Sequence, residues 1–486
     1  MREQSVSSRL RKAGFADPSK AGRLLEECAQ HGIDPPPVEA FAQAASPDQC
    51  LLLLTRLAEA CSDKQALSSL LAGPSRPRLL AVLGLSKALG DFLVAHPGAE
   101  SFAGLDAAVS LGDFTEEAEK RGALAAVGAD RGRRPVADKA GAEPVNALRR
   151  WYYGRILAIA GCDLTCSDTL EAMPEVSAAI SAVVAGALEA ALAIARAETP
   201  GAENVDLTVV AMGKTGASEV NYISDVDVVY VARPAADAGL SDGASEGGGG
   251  NRTERTEEAV EDALEVASKL ACLTARIVSA PAAEPGLWVL DANLRPEGKD
   301  GPLVRTLESH VAYYKRWAKG WEFQALLKAR PIAGDVELGE EYMAALWPMV
   351  WEAAGHENFV EDSRAMRRRV ENHVPARDAN RQLKLGKGGL RDVEFTVQLL
   401  QLVHGRTDRS LRVRETVEGL RRLRDGSYVS RADAEKLDRD YRTLRVLEHR
   451  VQLRRLRRTH LLPTGPDDLR ALARAMALPG VSSAED

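Results

Sequence analysis

The first part of the chain alternates between helical apolar patterns and short loop signals. Leucines recur at helical spacing, as at Leu51–Leu54 and Leu57, and indicate the buried faces of packed helices. Proline and glycine clusters such as Gly73-Pro74 and His96-Pro97-Gly98 interrupt the pattern where helices should end. We therefore predict an N-terminal helical region over residues 1–145.

The most apolar segment, Val176–Ala197, is long enough to span a membrane. It is interrupted by Glu189 and ends near Arg196. Alanine makes up its bulk, and alanine gains little from lipid yet forms helix better than any other residue. The pattern favours a buried helix of a soluble protein over a membrane span.

The pattern then changes to short runs rich in β-branched residues. Asp206–Met212 and Asp225–Val231 are predicted as adjacent strands, and Leu287–Asp291 as a further strand. Between them, residues 232–252 are glycine-rich and predict a flexible loop, and residues 253–279 predict a charged amphipathic helix.

A polar turn is expected over residues 295–301, and everything after Leu307 is predicted to be helical. The expected fold class is α+β and mostly helical, with a small mixed β-sheet embedded among helical domains. We place a second domain, which holds the predicted strands, at residues 146–335 and a C-terminal helical bundle at residues 336–486.

Composition supports this organisation and excludes several classes of protein. A chain of 486 residues should hold about three domains of ordinary size. With 63 Lys+Arg against 70 Asp+Glu, the net charge of −7 argues against a dedicated nucleic-acid binder. Six scattered cysteines do not make a disulfide framework, and Cys162 and Cys166 are expected to be reduced thiols. No apolar stretch follows the basic N-terminus, which predicts a cytoplasmic protein without a signal peptide or membrane association.

The candidate chemistry lies between the first two predicted strands. Successive side chains of a strand alternate between its faces, so Asp225 and Asp227 should share one face. Two neighbouring carboxylates repel each other unless a cation neutralises them, and Mg²⁺ prefers such oxygen ligands together with substrate phosphates. Gly213 and Gly216, where the first strand ends, would let the backbone approach an anion closely.

A strand, a glycine turn and a second strand bearing Asp-x-Asp resemble the polymerase-beta-like nucleotidyltransferases. The resemblance implies a third carboxylate from another strand, and Asp291 is placed to supply it. It also implies Mg²⁺, or Mn²⁺ in its place, held by Asp225, Asp227 and Asp291 for in-line displacement at phosphorus.

The match is closer to the first nucleotidyltransferase module of glutamine synthetase adenylyltransferase/adenylyl-removing enzymes. Its motifs appear here as Gly213-Lys214, Gly216, Glu219-Val220-Asn221 and Ser224-Asp225-Val226-Asp227. Similar later blocks lie at Asp291–Gly301, Tyr313–Pro331 and Lys384–Phe395. The resemblance is strong from Leu207 to Thr459 and general before that.

The sequence departs from that family in several places. Thr215 and Val220 stand where leucine would be expected, and the glycine run near residue 245 resembles an insertion. The family carries two such modules, whereas the chain has no second Asp-x-Asp in a comparable setting, so it resembles the N-terminal half.

In the family, the N-terminal half removes AMP from an adenylylated tyrosine of glutamine synthetase with inorganic phosphate, releasing ADP, which regulates nitrogen assimilation. The resemblance therefore implies three partners: glutamine synthetase, a PII signal protein and the C-terminal adenylyltransferase half of the same polypeptide. Two alternatives stay open: transfer of AMP from ATP to the tyrosine, and a non-catalytic module that senses nucleotide or PII. The three carboxylates alone do not choose the direction.

Further candidates are cations that could hold phosphate oxygens or nucleotide near the carboxylates. Gly213 and Ser224 are grouped with them, and the cations are Lys214, Arg295, Lys299, Arg305, Lys328 and Arg330. Glu394 is a weaker candidate for the rim of the site. The arginine-rich segment Arg445–Arg458 is predicted to pack in the helical bundle against acidic neighbours rather than to bind RNA.

Overall fold

A computed structural model describes residues 6–236, 252–355, 361, 367–368 and 374–476. The predicted fold class is confirmed, because the structure is 65% helical and holds one small mixed sheet of five strands. Most of the predicted flexible loop at residues 232–252 lies outside the described residues.

Short helices make up the described N-terminal part. They are α1 (Val6–Lys12), α2 (Pro18–Gln30), α3 (Pro47–Ala60), α4 (Lys64–Ala72), α5 (Arg76–Leu85), α6 (Lys87–Ala95), α7 (Ala99–Ala103) and α8 (Glu116–Ala126). Asp17, Ser46 and Asp63 cap α2, α3 and α4 by accepting backbone N–H groups of the first turn. Leu51 and Leu57 are buried as predicted, but Leu52 is 38% exposed because four consecutive side chains cannot share one helix face.

Two long helices follow, α9 (Ala142–Thr165) and α10 (Thr169–Glu198). The most apolar 18-residue window of α10 is long and apolar enough for a membrane span, yet 94% of it is buried inside the protein. The Glu189 carboxylate accepts the Gly334 N–H at 2.9 Å, and Arg196 donates to the Pro135 carbonyl at 3.1 Å. The prediction of a buried helix is thus confirmed, and the two charged side chains of its apolar stretch, Glu189 and Arg196, are hydrogen-bonded.

The sheet packs beside α10. Its strands are β1 (Val205–Ala211), β2 (Val226–Pro234), β3 (Leu290–Asp291), β4 (Val304–Arg305) and β5 (Arg330–Gly334), with α11 (Gly213–Gly216) and α12 (Arg252–Ser279) between them. The spatial order is β3-β2-β1-β5, with β4 also paired to β2. β1 is antiparallel to β2 and β5, whereas β2 is parallel to β3 and β4.

Two strand predictions need correction. The strand predicted over Leu287–Asp291 is shorter, since Leu287 donates its N–H to Val278 at the end of α12 and only β3 joins β2. The chain after Leu307 is not wholly helical, because β5 pairs with β1. Proline and glycine within β5 disfavour a helix, and the pairing satisfies the backbone groups of the second edge of β1.

Helices make up most of the remaining described chain. They are α13 (Leu307–Arg316), α14 (Gly320–Leu326), α15 (Val336–Glu352), α16 (Leu390–His404), α17 (Thr416–Asp425), α18 (Arg431–Leu453) and α19 (Pro466–Met476). One hydrophobic core extends from Leu10 in α1 to Ile332 in β5, so the N-terminal helices share a core with the sheet. The domain limits 1–145, 146–335 and 336–486 stay predictions.

Candidate functional site

The carboxylates predicted from the sequence lie at one end of the sheet. Asp225 directly precedes β2, and Asp227 is its second residue. Asp227 is in register with Asp291 on β3, and paired residues of neighbouring strands point to the same side. Asp291 Oδ1 also accepts the N–H of Asn293 at 2.8 Å, which fixes the turn after β3.

The surroundings of Asp227 disfavour the ionised form of its carboxyl group. Burial raises its pKa to about 6, and the neighbouring carboxylate of Asp291 adds to the rise. Asp225 is engaged differently, because the Arg458 guanidinium contacts its Oδ2 at 2.6 Å. The sheet therefore presents one carboxylate paired with a guanidinium and another whose ionised form is disfavoured.

These oxygen donors match the ligand preference of Mg²⁺ or Mn²⁺. Within the described ranges, however, no three Asp, Glu, His or Cys side chains already lie close enough together to hold a metal ion. Arg458 contacts one of the two carboxylate oxygens of Asp225 and so competes with a cation for it. The donor chemistry fits a divalent cation, although the three carboxylates are not assembled around one point.

The glycine turn packs tightly against these carboxylates. Gly213 has a φ of +54°, and a Cβ there would lie 2.7 Å from Asp227 Oδ2. A Cβ on Gly216 would lie 1.9 Å from the Lys328 carbonyl oxygen. Both positions require glycine because a side chain would displace the carboxylate or the adjoining backbone.

A cavity of about 220 Å³ opens in front of the turn and the start of β2. Its lining is Gly213, Lys214, Ser224, Asp225, Asp227, Lys328, Lys384, Arg391, Glu394, Gln398, Arg458 and His460. Five of these side chains are cationic and three are carboxylates. The structure thus brings Gly213, Lys214, Ser224, Asp225, Asp227 and Lys328 of the predicted set to one cavity.

Both predicted lysines in the cavity are already paired with buried carboxylates. Lys214 Nζ donates to Glu448 Oε2 at 2.9 Å and to Asn221 Oδ1 at 3.2 Å. Lys328 Nζ donates to Glu219 Oε2 at 2.7 Å. Burial lowers the pKa of Lys214 to about 8, and nearby positive charge acts in the same direction. These lysines are held in place before any ligand arrives.

Arg295, Arg330 and Asp291 do not line the cavity. Arg295 donates to backbone carbonyls of its own loop, including that of Ala292 at 2.8 Å, and so shapes the turn after β3. Arg330 donates to the Gly216 carbonyl at 3.2 Å and pairs with a carboxylate of α8. Of the two remaining cations, Lys299 is exposed, and Arg305 pairs with a glutamate of its own loop.

The cavity also includes cations that the site prediction missed. Lys384 and Arg391 form no ion pair with any described residue, so both are free to bind an anionic ligand. Both belong to the glycine-rich block Lys384–Phe395, which resembles a block of the family. That resemblance is the sequence feature that could have identified them as site residues. Arg458 and His460 follow α18, and their sequence offers no local sign of a site.

Glu394, ranked low from the sequence, is 4% exposed and lines the cavity. Burial alone would raise its pKa, but the positive charges of Lys214 and Arg391 outweigh burial and lower it. The carboxylate is therefore ionised at neutral pH and balances part of the positive charge of the cavity.

Helix α18 holds the chain segment that joins the glycine turn to β2. Arg445 donates to the Glu219 carbonyl at 2.7 Å, and Gln452 Oε1 accepts the Ile223 N–H at 3.0 Å. Arg450 pairs with the buried Asp163 carboxylate at 2.9 Å. The prediction that these arginines pack against acidic neighbours is confirmed, and the packing also fixes the candidate site.

Comparisons with known protein sequences show which families the chain resembles. The sequence model of the family described as glutamate-ammonia ligase adenylyltransferase matches residues 77–345, and that described as GlnD PII-uridylyltransferase matches residues 364–486. Two similar relatives are named bifunctional glutamine synthetase adenylyltransferase/adenylyl-removing enzyme. The Streptomyces avermitilis protein is 47% identical over 98% of the chain and 44% of its own length. The Leifsonia xyli protein is 45% identical over 98% of the chain and 46% of its own length. The chain therefore spans less than half the length of these relatives.

Proposed function

Because the chain belongs to the family of glutamate-ammonia ligase adenylyltransferases, we propose that it catalyses metal-dependent nucleotidyl transfer. The reaction we propose is phosphorolytic: inorganic phosphate displaces the tyrosine of adenylylated glutamine synthetase from AMP. The products are ADP and the unmodified enzyme. The observation that carries the proposal is the cavity that holds the Asp225-x-Asp227 carboxylates together with Lys384 and Arg391, which form no ion pair with a described residue.

The charges of the cavity suit a phosphate substrate on one side and a cation on the other. Lys384 and Arg391 lack carboxylate partners among the described residues, so their charge is available for phosphate oxygens. Asp225, Asp227 and Asp291 would hold Mg²⁺ or Mn²⁺. The metal, when bound, would neutralise charge that develops around the reacting phosphorus.

The cations of the cavity favour the phosphorolytic direction. Phosphate is already an anionic nucleophile at neutral pH, so its attack depends mainly on positioning and charge neutralisation. Fixed cations supply both. Transfer from ATP to a tyrosine would instead start from an uncharged hydroxyl with a pKa of about 10.

The family and the names of the relatives also support the partners. Two relatives named for glutamine synthetase cover 98% of the chain, so we propose glutamine synthetase as the substrate protein. The match to the PII-uridylyltransferase family over residues 364–486 supports a link to PII signalling. We further propose a cytoplasmic location and a companion adenylyltransferase half, in line with the greater length of the relatives.

The test combines the chain with adenylylated glutamine synthetase, Mg²⁺ and inorganic phosphate, and follows ADP. Phosphate-dependent ADP release that is lost in Asp227→Asn would support the proposal. Transfer of AMP from ATP to unmodified glutamine synthetase, without ADP release, would reverse the direction. Nucleotide binding without turnover in either assay would instead identify a regulatory module.

A further inference from the structure

His460 combines an imidazole with a buried carboxylate at the wall of the cavity. Its Nδ1 lies 2.8 Å from Glu448 Oε1. Glu448 is fully buried, and its other oxygen accepts hydrogen bonds from Lys214 at 2.9 Å and Arg445 at 3.0 Å. Three side chains, Lys214, Arg445 and His460, thus fix the carboxylate in place. The carboxylate in turn fixes the orientation of the His460 ring.

The second ring nitrogen is accessible and unpartnered. His460 lines the cavity, whereas Glu448, the partner of its Nδ1, does not. Nε2 has no hydrogen-bond partner in the described part of the chain, and it is not among the buried unpartnered atoms. His460 therefore offers an accessible ring nitrogen on a residue that borders the cavity.

The ring is neutral with a lone pair on Nε2. Although burial opposes it, the positive charge of Lys214 and the hydrogen bond with His460 hold the pKa of Glu448 well below its usual range. An ionised carboxylate makes Nδ1 the donor of the pair. Burial lowers the pKa of His460 despite the opposing bond to Glu448, and the charges of Lys384 and Lys214 lower it further.

We propose that His460 is a catalytic residue whose Nε2 accepts the proton of hydrogenphosphate as that phosphate attacks AMP-tyrosine. Glu448 acts through His460 as a positioning residue. This inference rests on the phosphorolytic function proposed above. It adds a role for His460, to which that proposal gives none.

The step balances in atoms and charge. An oxygen of HPO₄²⁻ forms a bond to the phosphorus of AMP, and the bond from that phosphorus to the tyrosine oxygen breaks with its electron pair on the tyrosine. Nε2 takes the proton of the attacking phosphate and releases it to water, and water returns one proton to the tyrosinate. The sum is AMP-tyrosine and HPO₄²⁻ giving tyrosine and ADP³⁻.

The experiment compares His460→Ala with the wild-type chain in phosphate-dependent ADP release. Loss of a general base should lower kcat by about 100-fold or more, with the KM for phosphate little changed. Free imidazole added to His460→Ala should restore about tenfold or more of the lost rate. A merely structural role would not respond to imidazole in this way.

His96→Ala is the matched control. His96 also pairs with a glutamate, Glu284, through Nε2 at 3.2 Å, but it lies in the N-terminal helical part and away from the cavity. Its removal should leave kcat unchanged, and imidazole should have no effect. If His460→Ala fails to fold, His460→Asn replaces it, because an amide can keep the hydrogen bond to Glu448 without providing Nε2.

The possible outcomes distinguish failure of the role proposed for His460 from failure of the phosphorolytic function. An active wild-type chain together with a folded His460→Ala or His460→Asn of normal kcat would overturn the role of His460 alone. A slow variant that imidazole does not rescue would also overturn the proton transfer and leave a structural role. A wild-type chain that releases no ADP would refute the phosphorolytic function, and the inference with it.

Discussion

Carboxylates lie at both ends of the β1–β2 pair, and the two ends differ in how far arginines neutralise them. At one end, Asp206 is fully buried and opposite Arg233 in the register. It contacts Arg134 at 2.9 Å and Arg133 at 3.1 Å, and Arg133 also contacts Asp335 at 2.9 Å. Several guanidinium groups thus neutralise these two carboxylates within the fold.

At the other end, Asp227 and Asp291 lie side by side, neither forms an ion pair with a described guanidinium, and burial raises the pKa of Asp227 to about 6. The same residue type is therefore structural where arginines neutralise it and available to ligands where they do not. Protein stability should depend on the first cluster, and activity should depend on the second.

The largest expected effect is that of Asp227→Asn on turnover. The change preserves shape but removes a charge from the reacting centre, so phosphate-dependent ADP release should fall by about 1,000-fold. The rate should be measured beside an unfolding curve to show that the fold is intact. Retention of more than about a tenth of the activity would mean that the cluster is not the reacting centre.

Asp206→Asn should show the opposite pattern. The change removes the charge of a fully buried carboxylate that accepts hydrogen bonds from Arg133 and Arg134, which we expect to cost about 3 kcal/mol of unfolding free energy. Urea unfolding measures this loss, and kcat per folded molecule should not change. A loss of kcat at unaltered stability would remove the distinction between the two ends.

A smaller effect concerns the pH dependence of stability without metal. Because the pKa of Asp227 is raised to about 6 in the fold, the native chain binds this proton more tightly than the unfolded chain. The ionised carboxylate therefore destabilises the fold above that pH, and the penalty fades as the pH falls towards about 4. Asp227→Asn should exceed the wild-type unfolding free energy by about 1–2 kcal/mol at neutral pH and by little near pH 4. Thermal unfolding in EDTA measures the difference, and a constant gain at every pH would contradict it.

The smallest effect is expected from Arg458→Gln. Arg458 is 59% exposed, so its pair with Asp225 is worth at most about 1 kcal/mol. Removing it should free Asp225 and tighten Mg²⁺ binding by up to about fivefold, as measured by calorimetric titration. Weaker Mg²⁺ binding in the variant would show that Arg458 supports the metal site instead of competing with it.

Sequence patterns predicted the parts of the fold that depend on local spacing. Alternation predicted the strand β2 that carries Asp227, although Asp225 lies just before it, and the alanine content identified α10 as buried. β5 escaped prediction because it is short and is stabilised by pairing with the distant β1. Local patterns do not report such pairing.

The sequence likewise predicted only part of the candidate site. Gly213 and Asp227 were found through the family motif, since they lie within one short stretch of sequence. Lys384, Arg391 and His460 reach the cavity only through the packing of the later helices. No periodicity links them to the carboxylates, so their place in the site required the three-dimensional structure.

Helix α18 links two stretches of the chain that match different families. Residues 77–345 and 364–486 match two different families, yet Glu448 in the second stretch anchors Lys214 in the first. The wall of the cavity is built from both stretches. Exchange of one stretch for a sequence that lacks its member of this pair would remove the buried contact between Lys214 and Glu448. Residues 214 and 448 should therefore change together or not at all.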